Sequence, residues 1–147
     1  MGTRSTISIK NLDNTYTQTY CHWDGYIDYN GFLLYCYYNT EEKVRKLLKN
    51  GMISSLYKSC DKPDGHSFDS PIDGYTIYYY RDRGTENWDD MKSTISNEYE
   101  GNEEYNYLFK NNKWYVDGKL LKNQFDKDTL KKIQKLFRKN KLNRIVK

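Results

Sequence analysis

Alanine is absent from this 147-residue chain, while Lys, Asn, Tyr and Ile are plentiful, as codon choice in an AT-rich genome produces. That bias is one source of the sixteen tyrosines. The other is recognition, since tyrosine packs its ring while its hydroxyl meets a polar neighbour or water. Long apolar runs are missing too. Nothing approaches the roughly 20 consecutive apolar residues that span a bilayer, and no basic segment followed by an apolar run opens the chain. A cytoplasmic protein without membrane contact is expected. The cysteines, Cys21, Cys36 and Cys60, are odd in number and widely spaced, which fits neither a disulfide framework nor a CxxC metal knuckle and predicts reduced thiols. Neither GxGxxG nor GxxxxGK(S/T) occurs, so any nucleotide site must be built from side chains, and no cofactor is expected. No repeat or low-complexity linker divides the chain, whose length suits one domain.

What is present is charge, unevenly placed. From residue 127 onward the basic residues are Lys127, Lys131, Lys132, Lys135, Arg138, Lys139, Lys141, Arg144 and Lys147, against Asp128 alone. The total is only +4, so the remainder is net acidic, with Glu86, Asp89, Asp90, Glu98, Glu100, Glu103 and Glu104 as a second, opposite concentration.

Residues 6–10 and 15–21 alternate around Asp13 and Asn14 and predict a hairpin. Residues 22–31 mix glycine, aspartate and aromatics as an ordered loop does. Residues 32–38 are a continuous apolar run, read as helix in preference to buried strand. Thr40 caps a helix with Glu41 and Glu42 in its first turn and Val44, Leu47 and Leu48 on one face, ending at Gly51. An irregular piece over 52–57 leads into a long loop over 60–74. A strand is predicted over 75–81, a short helix capped by Thr85 in the acidic segment, and a second hairpin from 105–109 and 114–116 around Asn111 and Asn112. Asp126 or Asp128 caps a final helix with Leu130, Ile133 and Phe137 on one face, bending or ending near Asn140. The sum is an α+β domain: an antiparallel sheet built from hairpins with two or three helices packed on it, including the C-terminal basic amphipathic helix. Residues 1–125 form the motif-bearing core, and 126–147 the helix packed on it or extending from it.

Several blocks stand in a fixed order: MGTRSTI, YCHWDGY (Tyr20 to Tyr26), NGFLL (Asn30 to Leu34), EEKVRKLLKNG with ISSL, GHSFD (Gly65 to Asp69), YRDRG (Tyr80 to Gly84), then EYNYLF and WYV. Together they resemble a family of small phage and prophage proteins that begin MGTRS and carry a CHWDGYP-like block. The resemblance covers residues 1–117. Ile27 stands where the block often has proline, and the basic tail lies outside it. The resemblance brings no assigned activity. It implies an accessory role in host takeover or evasion of host defence: an anti-CRISPR-like inhibitor of a nucleic-acid-guided complex, or a protein that sequesters a cyclic or NAD-derived nucleotide signal.

The candidate chemistry falls in three places. Cys21, His22 and Asp24, with His66 and Asp69, carry the elements of a thiol or metal site, but neighbours on a strand point to opposite faces, so Cys21 and His22 converge only if the strand breaks. Asp24, Asp28, Asp69 and Asp82 lack metal spacing for an Mg²⁺-dependent phosphohydrolase. Arg81 and Arg83 are candidate phosphate ligands, with Trp23, Tyr26 and Tyr79 as base platforms and His22 and His66 beside them. The alternative is an Arg–Asp network that fixes the loop. Lys131, Lys132, Lys135, Arg138 and Lys139 are candidate partner-binding residues, for a host defence protein or its nucleic-acid complex. The alternative is a solvated face, or one matched to the acidic segment of the same or a neighbouring chain in a homo-oligomer.

Overall fold

The computed structural model describes residues 2–146, with side chains to residue 139. Strands β1 (Ser5–Lys10) and β2 (Tyr16–Cys21) form the first hairpin, in register from Ser5 opposite Cys21 to Lys10 opposite Tyr16. Strands β3 (Ile53–Ser55), β4 (Ile77–Tyr78) and β5 (Thr94–Ser96) are short, and β6 (Tyr105–Lys110), β7 (Lys113–Val116) and β8 (Lys119–Leu120) close the chain's β structure. The sheet order is β4-β3-β2-β1-β6-β7-β8, with β5 paired to β2. The domain is α+β, but its sheet is mixed where an antiparallel one was expected, because β1 pairs with β6, and β2 with β3, in parallel. The two hairpins are each antiparallel. What local patterning does not encode is the long crossover that lays β6 alongside β1 in the same direction.

Among the described residues five α-helices accompany the sheet: α1 (Phe32–Tyr37), α2 (Glu41–Leu48), α3 (Tyr79–Arg83), α4 (Trp88–Met91) and α5 (Lys127–Val146); a helical turn over Ile27–Gly31, where an ordered loop was expected, leads into α1. Thr40 caps α2 by accepting from the Lys43 amide, and Asp126 caps α5 by accepting from the Thr129 amide at 2.7 Å. Alternation along the strands sends Ile7, Ile9, Cys21, Tyr107, Phe109, Trp114 and Val116 to one face of the sheet, where α1 supplies Leu33 and Leu34, α2 supplies Val44, Leu47 and Leu48, and α5 supplies Ile133. Polar side chains pair on the opposite face, Thr6 donating to Asn106 and Ser8 to Gln18. Among the described residues no helix is long and apolar enough to cross a membrane.

Four further local expectations change. Only Ile77 and Tyr78 of the 75–81 run are strand, because the Asp82 carboxylate reaches back to the Tyr78 amide at 2.7 Å and turns the chain into α3, which Gly84 ends with φ 76°. The acidic segment holds α4, capped by Asn87 in place of Thr85, and an additional strand, β5. Residues 53–55, expected to be irregular, form β3. Backbone helix continues through residue 140, and on α5 Leu136 packs against the core beside Leu130, while Phe137 is exposed. The side chains of Lys141, Arg144 and Lys147 lie outside the described residues.

The loop after β2 is welded to this frame. Gly25 donates to the Thr3 carbonyl at 2.8 Å and lies so close that a Cβ there would sit 2.9 Å from that oxygen and 3.0 Å from the Ser5 Cβ. The buried Tyr107 hydroxyl donates to the Gly25 carbonyl at 2.6 Å. Tyr107→Phe leaves that buried carbonyl without its donor, and urea unfolding is expected to show a loss of about 1–3 kcal/mol at unchanged m value.

Candidate binding surfaces

The GHSFD and YRDRG blocks, far apart in sequence, meet around α3. Asp82 is buried. Its carboxylate accepts from Arg81 Nε at 2.8 Å, from a terminal guanidinium nitrogen of Arg81 at 3.0 Å, and from the Tyr78 amide. Arg81 also donates to the carbonyls of Cys60 at 2.7 Å and Thr76 at 3.1 Å, and stacks its guanidinium 4.5 Å from the centre of the Tyr78 ring. All its nitrogens thus have partners inside the chain. The buried His66 ring accepts from the Ile72 amide at Nδ1, 3.0 Å, which places the ring proton on Nε2, 3.4 Å from Asp82 Oδ2. The Phe68 amide donates to the Asp82 carbonyl at 3.0 Å. These contacts tie the long loop over 60–74 to the turn that ends β4.

Arg83 sits outside this network. It is exposed, donates to Glu86 at 2.6 Å, and lies 4.6 Å from the Phe68 ring centre and 4.9 Å from that of Tyr79. The candidates Arg81, Arg83, Tyr79 and His66 are therefore neighbours, with two facing inward.

Cys21 and His22 diverge, as strand alternation requires. The Cys21 thiol is fully buried, donates to the Trp23 carbonyl at 3.6 Å and meets the Asn30 amide at 3.5 Å, and burial pushes its pKa up to about 12. His22 lies on the opposite face, its Nδ1 2.9 Å from the Tyr20 hydroxyl and its ring packed edge-on against Trp23 at 4.4 Å. All three cysteines are free and buried; burial also raises the Cys36 thiol to about 11 and lifts that of Cys60. Among the described residues no group of three or more His, Cys, Asp or Glu is placed to hold a metal ion. What residues 22–31 turn outward is aromatic: Trp23 and Tyr26 in the loop and Tyr29 on the helical turn over Ile27–Gly31 are exposed.

On α5, helical spacing puts Lys131, Lys135 and Arg138 on the side opposite the buried Ile133, with Lys132 and Lys139 flanking them. All five are exposed, and none joins an ion pair among the described residues, so the acidic segment does not neutralise them within the chain. Two clefts open beside this helix, each ≈ 360 Å³. One brings Lys132 against Asp28, Tyr29, Phe32, Tyr57, Lys58 and Asp73. The other lies between Phe137 of α5, Tyr35 of α1 and the β6–β7 hairpin, with Phe109, Trp114, Lys113 and Lys122 around it. Neither was visible in the sequence, because each gathers residues from elements separated by long stretches of chain.

Comparison of the chain with protein-family models, with curated proteins and with solved structures finds no match in any of the three.

Asp82→Ala strands the Arg81 charge among carbonyls and is expected to cost about 3–5 kcal/mol in urea unfolding, whereas Arg83→Ala, at the surface, costs under about 1 kcal/mol. Iodoacetamide at pH 8 is expected to leave Cys21 unmodified in the native protein and to label all three cysteines in urea, read by intact mass.

Proposed function

We propose that this is a phage-encoded accessory protein that binds and inhibits a host defence complex, and that α5 makes the contact. The observation that carries this reading is the unpaired cationic face formed by Lys131, Lys135 and Arg138, directed away from the core on a helix anchored by Ile133. Exposed lysines without local partners gain most from a surface of dense negative charge, where each contact releases a condensed counterion. The nucleic-acid component of a guided defence complex offers such a surface. The exposed Trp23, Tyr26 and Tyr29 add apolar area of the kind enriched at interfaces. The order of the MGTRS, CHWDGY, GHSFD and YRDRG blocks is the support for phage origin.

The reactive groups support binding over turnover. A thiol nucleophile acts as thiolate, and burial disfavours that form at Cys21, Cys36 and Cys60. Asp82 and His66 serve the loop they hold.

The test is affinity capture from infected host lysate, with and without nuclease, using the wild-type chain and K131E/K135E/R138E. The wild type is expected to retain a nucleic-acid-containing complex that nuclease releases, and the variant to lose it while its melting temperature stays within about 2 °C. Capture of the same partner in equal yield by the variant removes α5 from the contact. Nuclease-resistant capture that still depends on the three charges identifies an acidic protein surface as the partner.

A further inference from the structure

The cleft between Tyr35, Phe137 and the β6–β7 hairpin combines an aromatic wall with cationic groups and no carboxylate. The Tyr35 and Phe137 rings lie 6.1 Å apart at 24°, and Tyr35 is braced edge-on by Phe125 at 5.4 Å. The Trp114 indole is held by its 2.8 Å hydrogen bond to the Tyr38 carbonyl and by Phe109 at 5.2 Å. Phe109 and Trp114 are buried in the core and form the floor of the cleft, while the half-buried Tyr35 and the exposed Phe137 form its open side. Lys113 and Lys122 line the cleft and join no ion pair among the described residues, and the Asn39 and Asn112 side chains complete it.

We infer that this cleft binds a nucleotide unit, an aromatic heterocycle bearing phosphate, with the base against the aromatic wall and the phosphate on Lys113 and Lys122. Three properties select that class. The volume, ≈ 360 Å³, falls at the small end of the roughly 300–1,000 Å³ of ligand clefts and suits one ring system with a polar tail. Lysines without a neighbouring carboxylate favour an anion, and Asn amides both donate and accept, as the edge of a base requires. The second cleft supplies the contrast: Asp28 and Asp73 stand with its Lys58 and Lys132, so its charges are already balanced. Of the two phosphate ligands expected from sequence, Arg81 is engaged by Asp82, Cys60 and Thr76, and the exposed Arg83 donates to Glu86. This site goes beyond the α5 contact. Phe137 is on the same helix, but the lysines of the proposed partner face lie on its other side.

Isothermal titration calorimetry of the full chain against AMP, GMP, CMP and UMP, their nucleosides and inorganic phosphate tests the assignment. At least one monophosphate is expected to saturate, its nucleoside to bind roughly tenfold more weakly or worse, and phosphate alone not to saturate. Lys113→Ala with Lys122→Ala is expected to bring the monophosphate down to the nucleoside's affinity, and Phe137→Ala to weaken it at least roughly fivefold, with circular dichroism unchanged. K131E/K135E/R138E is expected to keep full monophosphate affinity, which separates this site from the α5 contact. A short oligonucleotide that binds more tightly than the monophosphate, and loses that affinity in the double lysine variant, assigns the unit to a strand; equal or weaker binding assigns it to a free nucleotide. No saturation by any of the four monophosphates, equal binding of nucleoside and nucleotide, or an unaffected double lysine variant overturns the proposal.

Discussion

The 2.6 Å hydrogen bond from the Tyr107 hydroxyl to the Gly25 carbonyl sits where several elements depend on one another. Tyr107 lies on β6, which pairs with β1 in parallel, so the bond joins the second hairpin to the loop that leaves the first. Gly25 can accept it only by lying directly on the start of β1, with no room for a side chain. The loop's other end is fixed by Asn30, buried and donating to the Trp23 carbonyl at 3.1 Å, after which α1 begins. The start of α1 is therefore placed by a hydrogen bond between residues 82 positions apart in the chain. Since α5 packs against α1, through Phe137 on Tyr35, with Phe125 just before the helix on the same ring, the cationic helix inherits its position from the same contact. The loop's polar backbone is satisfied inward, and that leaves Trp23, Tyr26 and Tyr29 directed outward.

Local patterning carried the hairpins and the main helices. Alternation set the faces of β1, β2, β6 and β7; Asn111 and Asn112, at φ 53° and 60°, provide the left-handed pair that a two-residue hairpin turn needs. Thr40 and Asp126 cap as their side-chain chemistry predicts. The divergence of Cys21 and His22 followed from strand geometry alone. What was illegible depended on partners distant in sequence. The run YTIYYYR has strand propensity throughout, yet a single carboxylate, Asp82, captures the Tyr78 amide and converts its second half to helix. The polar residues 94–96 look like loop and become β5 because β2 offers an unpaired edge beside them. The parallel pairings likewise need crossover connections, and each cleft gathers residues from elements far apart in the chain, neither of which leaves a periodic trace.

The motif blocks gain a physical meaning once they are seen in contact. Gly2, in the opening block, lies against His22 and Trp23, where a Cβ would come within 2.7 Å of the His22 carbonyl oxygen. The Gly31 backbone is held close to Tyr107 of the EYNYLF block. His66 and Phe68 meet Asp82 and Arg83. In a linear reading these residues resemble fragments of active sites, since thiol, imidazole, guanidinium and carboxylate stand close together. In three dimensions Arg81 and Asp82 satisfy each other, the Cys21 thiol is met by the Trp23 carbonyl and Asn30, and the buried His66 Nε2 is left without a hydrogen-bond partner. Burying an Arg–Asp pair gives little net stability against well-packed apolar groups, but removing one partner is costly, so the pair's consequence is to fix the geometry of the loop over 60–74.

The cationic face of α5 and the lysines of the cleft are all exposed, and they differ in what stands beside them: solvent on the helix, aromatic rings in the cleft. On the outer side of α5, Lys131, Lys135 and Arg138 are surrounded by water, where a single ion pair contributes about 0–1 kcal/mol. A small anion gains little there, whereas a polyanion gains at several points together and through the counterions it sheds. Lys113 and Lys122 stand beside the rings of Tyr35, Trp114 and Phe137, which exclude water from one side of any ligand they contact. A phosphate held there meets two lysines, and the ring that accompanies it supplies the apolar contact that phosphate alone lacks. The helix face is thereby suited to a surface and the cleft to a single unit, although one helix borders both.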